Sequence, residues 1–193
     1  MKLKPALLVI FFFGVWVLLK NYKSLYSDFQ YSTKAPEGTT IDNMKQGEWK
    51  TYYLNGNIKS LETFKDDTLN GPSLFYNPNG TIRAKSTYRD GIKVDSFVMY
   101  HSNGKPNSEE WLDEKGKAQG VFKIYYSNGN LSQIGKNKDG NLDDTSRTFY
   151  ESGALKTIEF YKNKMKNGTW KYYNERGRLT KTEIYENDSL LKK

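Results

Sequence analysis

The sequence predicts an all-β protein in which six antiparallel β-hairpins of about 24 residues stack into an elongated twisted sheet. One hydrophobic helix is expected before the sheet, at the N-terminus. Three observations predict this fold. A turn signal recurs at a nearly constant interval, aromatic and aliphatic residues keep the same phase, and the segments between the turns have the alternation of short strands.

The turn signal is YYLNG at residues 52–56, and it recurs as YNPNG, YHSNG, YYSNG, FYESG and YYNERG. The glycines of these turns are Gly56, Gly80, Gly104, Gly129, Gly153 and Gly177. Their spacing is constant to within one position along the chain. Self-similarity at a fixed period of this size is the signature of a repeat array.

Other positions keep this phase. Four residues before the turn glycines lies a column of aromatic residues, which consists of Tyr52, Tyr76, Tyr100, Tyr125, Phe149 and Tyr173. Two residues after the glycines lie Ile58, Ile82, Pro106, Leu131, Leu155 and Leu179. Nine residues before the glycines lie Gly47, Gly71, Asp95, Gly120, Asp144 and Gly168, a second set of turn-permissive residues that we expect to mark the other end of each unit.

The turn type follows from Pro78 in the second unit. Proline has no N–H for strand pairing, so Asn77-Pro78-Asn79-Gly80 fits a type I turn followed by a left-handed glycine in a G1 bulge. This loop places Tyr76 opposite Ile82, and it puts the aromatic and aliphatic columns on one face of a sheet of about twelve strands. The other face is expected to hold Trp49, Phe97, Phe122 and Trp170, together with Leu61, Ile134 and Ile158.

The N-terminal segment has a different character. Residues 5–19, PALLVIFFFGVWVLL, carry no charge and would rise about 22 Å as a helix, which flanking lysines can extend toward a membrane span. We expect an uncleaved signal-anchor in residues 1–23, a polar tether in residues 24–44 and the repeat domain in residues 45–193. The repeat domain is then membrane-anchored and extracytoplasmic, in the cell envelope. A cleaved secretory signal, which would release the protein, is the alternative.

The charges are unevenly distributed. Residues 24–154 hold 16 basic and 17 acidic side chains, whereas residues 155–193 hold 10 basic and 5 acidic ones. The nearly neutral charge of residues 24–154 disfavours nucleic acid as a partner, because nucleic-acid binding needs a clustered basic face. The basic end offers candidate contacts to an anionic surface, and these are Lys162, Lys164, Lys166, Lys171, Arg176 and Arg178.

Catalytic constellations are missing from the sequence. It has no cysteine and one histidine, His101, which lies at a turn entry. It also lacks the GxSxG, GxxxxGK[ST] and GxGxxG motifs. Glu110 has the same phase as Glu62, Glu159 and Glu183, so it is interpreted as a repeated strand position rather than a catalytic carboxylate. We therefore expect no enzyme activity, no cofactor and no metal.

The pattern Gly-x-Trp-x-x-Tyr-Tyr-x-x-Asn-Gly, as in GEWKTYYLNG and GTWKYYNERG, resembles the bacterial MORN-repeat variant family. The resemblance covers roughly residues 45–193 and implies stacked hairpins with a binding or scaffolding role. Some relatives are antitoxin-like components of toxin systems. The departures from the pattern are Asp95 and Asp144 for glycine, Pro106 for the aliphatic residue, and Ser73 and Ser146 for tryptophan.

Two functions remain open from the sequence. The first is a membrane-tethered module that binds a protein partner, with a toxin as one candidate, through the aromatic column, Trp49 and Trp170. An unpaired terminal strand could also recruit a partner by β-augmentation. The second is an envelope protein that associates with lipid or glycan through its aromatic rows and basic C-terminal end.

Overall fold

The computed structural model describes residues 34–192, and this part of the chain is one 16-stranded antiparallel sheet without a helix. The strands are β1 (Glu37–Ile41), β2 (Met44–Tyr52), β3 (Ile58–Lys65), β4 (Thr68–Tyr76), β5 (Ile82–Arg89), β6 (Ile92–Tyr100), β7 (Pro106–Leu112), β8 (Ala118–Tyr125), β9 (Leu131–Lys138), β10 (Asn141–Leu142), β11 (Asp144–Phe149), β12 (Leu155–Lys162), β13 (Met165–Lys166), β14 (Gly168–Tyr173), β15 (Leu179–Glu186) and β16 (Ser189–Lys192).

The all-β hairpin prediction is confirmed for residues 34–192. Within that range no helix is long and apolar enough to cross a membrane. The hydrophobic helix and the anchor predicted at residues 5–19 lie outside the described residues. The strands pair in chain order from β1 to β16, except that the short β10 and β13 pair with β9 and β12 beside the main path. That path has fourteen strands rather than about twelve.

The turn predicted around Gly80 has the expected geometry. The Gly80 N–H donates a hydrogen bond of 2.8 Å to the Asn77 carbonyl, and Gly80 has a φ of 84°. Tyr76 lies opposite Ile82, as predicted. The same pairing joins Tyr52 to Ile58 and Tyr173 to Leu179. A type I turn with a left-handed glycine therefore sets the register of each hairpin.

The opposite edge of the sheet uses a second kind of turn. Asp66 and Asp67 both have positive φ, at 49° and 61°, and Asp90 and Gly91 follow the same pattern. Two consecutive left-handed residues form the type I′ turn, whose twist matches that of the strands it joins. The turn between β7 and β8 differs, because Gly116 donates to the Asp113 carbonyl at 2.9 Å in a longer loop.

The residues nine positions before the turn glycines do not form turns, which corrects the expectation that they end each unit. Four of them lie within strands at bulges, where the register against the preceding strand shifts. Asp144 and Gly168 are instead the first residues of β11 and β14, separated by one residue from the short strands β10 and β13. All six have positive φ, including Asp95 at 60° and Asp144 at 72°. Aspartate tolerates this region better than most residues, so the two departures from glycine preserve the backbone conformation.

The predicted assignment of Leu61, Ile134 and Ile158 to the tryptophan side of the sheet is wrong. Each returning strand has a further bulge directly after the turn, where the register shifts by one residue, for example between Thr51 and Tyr52. Leu61 therefore pairs with Lys50, while Trp49 pairs with Glu62. Because paired residues share a face, one extra residue moves Leu61 to the face of Tyr52.

The boundary between tether and repeat domain also needs correction. Residues 37–41 fall within the predicted tether, yet they form β1 and pair with β2. Asp42 and Asn43 have φ values of 51° and 63°, so they form a type I′ turn that joins the two strands. Trp49 closes over this strand and donates from Nε1 to the Thr39 carbonyl at 3.1 Å.

The left-handed positions generate a prediction for stability. Gly80→Val is expected to lower the free energy of unfolding by about 1–2 kcal/mol or more, because an L side chain is strained at positive φ. A Cβ at Gly80 would meet nothing within 4 Å, so a clash cannot explain the loss. Asp95→Gly, at another left-handed position, is the control and should stay within about 0.5 kcal/mol of the parent. Urea unfolding followed by circular dichroism measures both, and equal effects would contradict the assignment.

Candidate binding surfaces

The sheet has an inner face and an outer face, which the strand registers define. We call inner the face that carries Trp49, Glu62 and Trp170, and outer the face that carries Lys50, Tyr52 and Leu61. Nine of the eleven buried side chains in residues 34–192 belong to the inner face. They are Ser60, Ser73, Ala84, Ser86, Leu112, Ser146, Thr157, Trp170 and Glu183. The inner face therefore provides most of the packing.

Hydroxyl groups and carboxylates form paired networks on the inner face. The Thr51 and Ser60 hydroxyls are 2.6 Å apart across two strands, and Ser60 donates to Glu62 at 2.8 Å. Thr148, Thr157 and Glu159 repeat this arrangement in the fifth unit. Polar side chains on this buried face are thus largely satisfied within the sheet, which lowers the cost of burying them.

Ser73 and Ser86 are an exception. They lie opposite each other, both are buried, and within residues 34–192 neither hydroxyl has a hydrogen-bond partner. Other units place an aromatic residue and a glutamate at this pair, as in Trp49 with Glu62 and Trp170 with Glu183. The second unit therefore replaces a bulky pair with a small one.

Glu183 is the centre of the strongest polar cluster. Its carboxylate accepts hydrogen bonds from Tyr172 at 2.7 Å and Tyr185 at 3.0 Å, and it forms an ion pair with Lys181 at 2.6 Å. The Lys181 hydrogen bond, followed by that of Tyr172, lowers the pKa of Glu183 to about 2. Burial, and then Glu183, raises the pKa of Tyr172 above its ordinary value. The cluster ties β14 to β15.

Aromatic rings on the inner face are covered by lysines of the same chain. The Trp170 ring centroid lies 5.2 Å from that of Tyr161 and 5.3 Å from that of Tyr185. Lys166 Nζ lies 4.6 Å from the Trp170 centroid and 5.0 Å from the Tyr185 centroid. These cation–π contacts engage the ring faces internally, so the rings are not open to a partner.

The edge that carries the turn glycines joins each hairpin to the next. Tyr53, Tyr126 and Tyr150 donate from their hydroxyls to main-chain carbonyls of the next hairpin, at 2.6, 2.7 and 2.9 Å. His101 lies at the same phase, and its Nε2 is 2.9 Å from the Tyr125 carbonyl. The single histidine thus contributes to the same set of contacts between neighbouring hairpins as these tyrosines.

Asparagines of the turns form a second set of hydrogen bonds between neighbouring hairpins. Asn55, Asn103 and Asn128 donate from Nδ2 to carbonyls of the following turn, at 2.7, 2.7 and 3.1 Å. The Oδ1 atoms of the same residues accept main-chain N–H groups within their own turns. The turn motif alone predicts these asparagines as turn formers, and only their recurrence at the phase of the repeat indicates contacts between hairpins.

The outer face carries one row of paired residues that crosses the sheet from β2 to β15. From β8 onward this row alternates between basic and mostly aliphatic side chains, and consecutive members are direct cross-strand partners. In order the residues are Lys123, Ile134, Arg147, Ile158, Lys171 and Thr182. We call Lys123, Arg147 and Lys171 the cation row.

The cation row includes only one residue, Lys171, that is among the contacts predicted from the sequence. Its three members all lie six positions before a turn glycine, in three consecutive units, so the phase of the repeat contained the signal. Within residues 34–192 none of the three side chains forms a hydrogen bond, an ion pair or a ring contact. By contrast, Lys166 and Lys181 on the inner face are both engaged.

Exposed apolar side chains lie beside this row on the outer face. Trp111 is 51% exposed and Val121 is 57% exposed, and they occupy the adjacent strands β7 and β8. Phe160 on β12 is 39% exposed. Exposed apolar groups that share a surface with cations are typical of an interaction site.

The aromatic residues predicted to contact a partner do not form one exposed surface. Tyr52 is 8% exposed and Trp170 is 4% exposed, so neither can serve as an exposed anchor. Tyr76, Tyr100, Tyr125, Phe149, Tyr173 and Trp49 are half-buried. The column from Tyr52 to Tyr173 lies on the outer face, whereas Trp49 and Trp170 lie on the inner face, so no single partner surface contains all of them.

The predicted basic contacts are also separated. Lys162, Lys164 and Lys166 lie at the edge of the type I′ turns, and Arg176 and Arg178 lie at the opposite edge, next to Gly177. Lys171 lies between these edges on β14. The hairpin geometry spreads residues that are close in sequence over the length of two strands, so they do not form one patch.

Two depressions in the described part of the sheet lie near the type I′ turns. One of the two has a volume of about 360 Å³, and its lining includes Lys136, Asp143, Phe160 and Lys162. Among residues 34–192 no group of three or more histidine, aspartate or glutamate side chains is arranged to bind a metal ion.

Four segments of the chain match the family model described as MORN repeat variant. They are residues 45–66, 69–90, 118–136 and 145–163. The chain therefore carries MORN-variant repeats, and the predicted resemblance is confirmed. Repeats of this kind form modules that commonly bind proteins or membrane lipids and are generally not enzymes.

A similar solved structure is described as accessory secretory protein 1, 2 and 3 in Streptococcus pneumoniae. The sequences are 17% identical over 57% of this chain, and the TM-score is 0.34. The match spans about a fifth of that chain, 20%. Comparison with curated proteins finds no match.

The Glu183 cluster predicts how stability depends on pH. Because the folded-state pKa is lowered to about 2, this carboxylate stabilises the fold above its ordinary pKa of 4.5, and that stability is lost as pH falls toward 2. Glu183→Gln should therefore destabilise the protein at pH 7, with a difference from the parent that shrinks steadily below pH 4.5. Urea unfolding at several pH values measures it. Glu175→Gln, on the exposed turn, is the control, and a pH-independent difference for Glu183→Gln would contradict the account.

Proposed function

We propose that this protein is a membrane-tethered, non-catalytic repeat module that binds a protein partner through the outer face of its sheet. The observation that carries the proposal is the contrast between the faces. The inner face uses its rings and carboxylates in contacts within the chain, whereas the outer face exposes Trp111, Val121 and the cation row. A surface of this composition, with a large aromatic side chain to bury, is typical of a protein-binding site.

The proposal includes six repeat units and a tether. All six turn glycines have positive φ, and the pairing across each turn is the same, which supports six units where the family model matches four segments. The uncharged residues 5–19 support an anchor, and their signal-like context supports an extracytoplasmic location for the sheet. A toxin as partner rests on the family resemblance alone.

Association of the basic end with lipid or glycan is less well supported. The six basic residues proposed for it are divided between both edges and the middle of the sheet, and Lys166 is engaged by Trp170 and Tyr185. A surface that binds anionic headgroups would need these charges on one side.

Affinity capture with matched variants tests the proposal. The full chain, held in a non-ionic detergent, is cross-linked in extracts of its own cells, and captured proteins are identified by mass spectrometry. Trp111→Glu combined with Val121→Glu should reduce recovery of the partner by about tenfold or more, because a buried aromatic anchor is lost and charge is introduced.

The control for this capture is Met99→Glu. Met99 is 39% exposed and lies on the inner face, so this variant introduces charge without changing the outer face. It should recover the partner as the parent does. Equal recovery by the outer-face variant, or turnover of a small substrate by the purified chain, would contradict the proposed function.

A further inference from the structure

The geometry points to an acidic, extended polypeptide segment as the ligand of the outer face, lying across the strands with a carboxylate at about every third residue on Lys123, Arg147 and Lys171. This inference rests on the proposed function and specifies the chemistry of the partner. The spacing, the twist and the unpaired charges of the cation row support it.

The spacing of the cations matches that of an extended chain. Lys123, Arg147 and Lys171 lie on β8, β11 and β14, and each is two strands from the next. Neighbouring strands are about 4.8 Å apart, so the cations recur at about 9.6 Å along the sheet. A polyproline II segment rises about 3.1 Å per residue with three residues per turn, so every third side chain returns to one side after about 9.3 Å. Acidic residues at that interval meet successive cations.

The residues between the cations suit the rest of such a segment. Ile134 lies between Lys123 and Arg147, and Ile158 lies between Arg147 and Lys171. Both are half-buried and present apolar surface. The aromatic column runs parallel on the turn side, where Tyr125, Phe149 and Tyr173 occupy the same strands as the cations. Proline or aliphatic residues of the segment can pack against these side chains.

The unpaired state of the cations gives the row its capacity for binding. The paired residues of the row from β8 to β15 include no acid. Glu109 on β7 lies opposite Lys123, but its carboxylate accepts the Tyr125 hydroxyl at 3.3 Å and forms no ion pair with that lysine. Arg147 and Lys171 are exposed and Lys123 is half-buried. Charges that are already paired would have to be separated before binding, whereas these three can meet a carboxylate without that cost. Arginine in addition offers a bidentate contact.

The twist of the sheet favours a flexible chain over a flat surface. Adjacent strands rotate by roughly 20–25°, so successive cations turn by about 45° around the axis of the sheet. A planar membrane would touch one or two of them at a time. A polypeptide can follow this rotation, and the long lysine and arginine stems absorb the remaining mismatch over three positions. Nucleic acid strands carry a charge about every 3.4 Å, which is denser than the row.

Peptide binding to the full chain tests the inference. The chain is reconstituted into neutral phosphatidylcholine nanodiscs, and fluorescence anisotropy follows a labelled peptide of four Glu-Pro-Pro repeats. A control peptide has the same composition with its four glutamates in one block. The periodic peptide is expected to bind about tenfold more tightly than the block, because only its charges match the row, and its affinity should fall with added salt.

Charge reversal identifies the surface. The combined variant Lys123→Glu, Arg147→Glu and Lys171→Glu should weaken binding of the periodic peptide by about tenfold or more. The matched control, Lys162→Glu, Lys164→Glu and Arg176→Glu, changes the net charge equally at the edges and should stay within about twofold of the parent. Circular dichroism verifies that both variants retain the sheet.

Several results would overturn the inference. The first two are equal affinity of the parent chain for the periodic and block peptides, and an equal loss of periodic-peptide affinity in both charge-reversal variants. The third is that a thymidine oligonucleotide binds more tightly than the periodic peptide. The fourth is that phosphatidylserine vesicles displace the peptide whereas neutral vesicles do not. The last result would assign the row to an anionic membrane. Failure to bind the periodic peptide, while capture of a protein still depends on Trp111 and Val121, would overturn this inference and leave the proposed function intact.

Discussion

Left-handed backbone conformations at fixed phases are the constraint on which the sheet depends. A single hairpin buries too little apolar surface to fold alone, so each one must pair along both of its edges. Pairing along both edges requires turns and bulges that give every strand the same twist and offset. Glycine, aspartate and asparagine supply these conformations, as at Gly80, Asp95 and the Asp42-Asn43 turn. The tyrosine and asparagine hydrogen bonds at the turn edge then fix the position of each hairpin relative to the next.

The bulges also determine which side chains lie on the inner face and which lie on the outer face. Because each returning strand shifts by one residue, the glutamates and the second set of aromatic residues join the tryptophans on the inner face. That face becomes a packed layer of rings, hydroxyls and carboxylates, and the Glu183 carboxylate is engaged by two tyrosine hydroxyls and a lysine. The outer face is left with Trp111, Val121 and three unpaired cations, and these can interact with a partner without disturbing the fold.

Sequence periodicity was sufficient to predict the architecture, because turn chemistry is local. Asn77-Pro78-Asn79-Gly80 specifies its own turn type, and the phase of the repeat specifies which hairpins are neighbours. The faces could not be predicted in the same way. The bulge after each turn adds one residue to the returning strand, so strict alternation counted from Tyr52 assigns Leu61 to the wrong face. The cation row is present in the sequence as a shared phase, but net charge along the chain groups Lys171 with the basic C-terminal end and not with Lys123 and Arg147.

The central claim is that the two faces differ in what they leave exposed, and tryptophan fluorescence tests it most directly. Two variants of the full chain each keep one indole, at Trp111 or at Trp170, with the other tryptophans replaced by phenylalanine. The account predicts that Trp170, which is 4% exposed, emits at shorter wavelength and resists acrylamide quenching, while Trp111, which is 51% exposed, is quenched readily. Equal quenching, or the reverse order, would contradict the account.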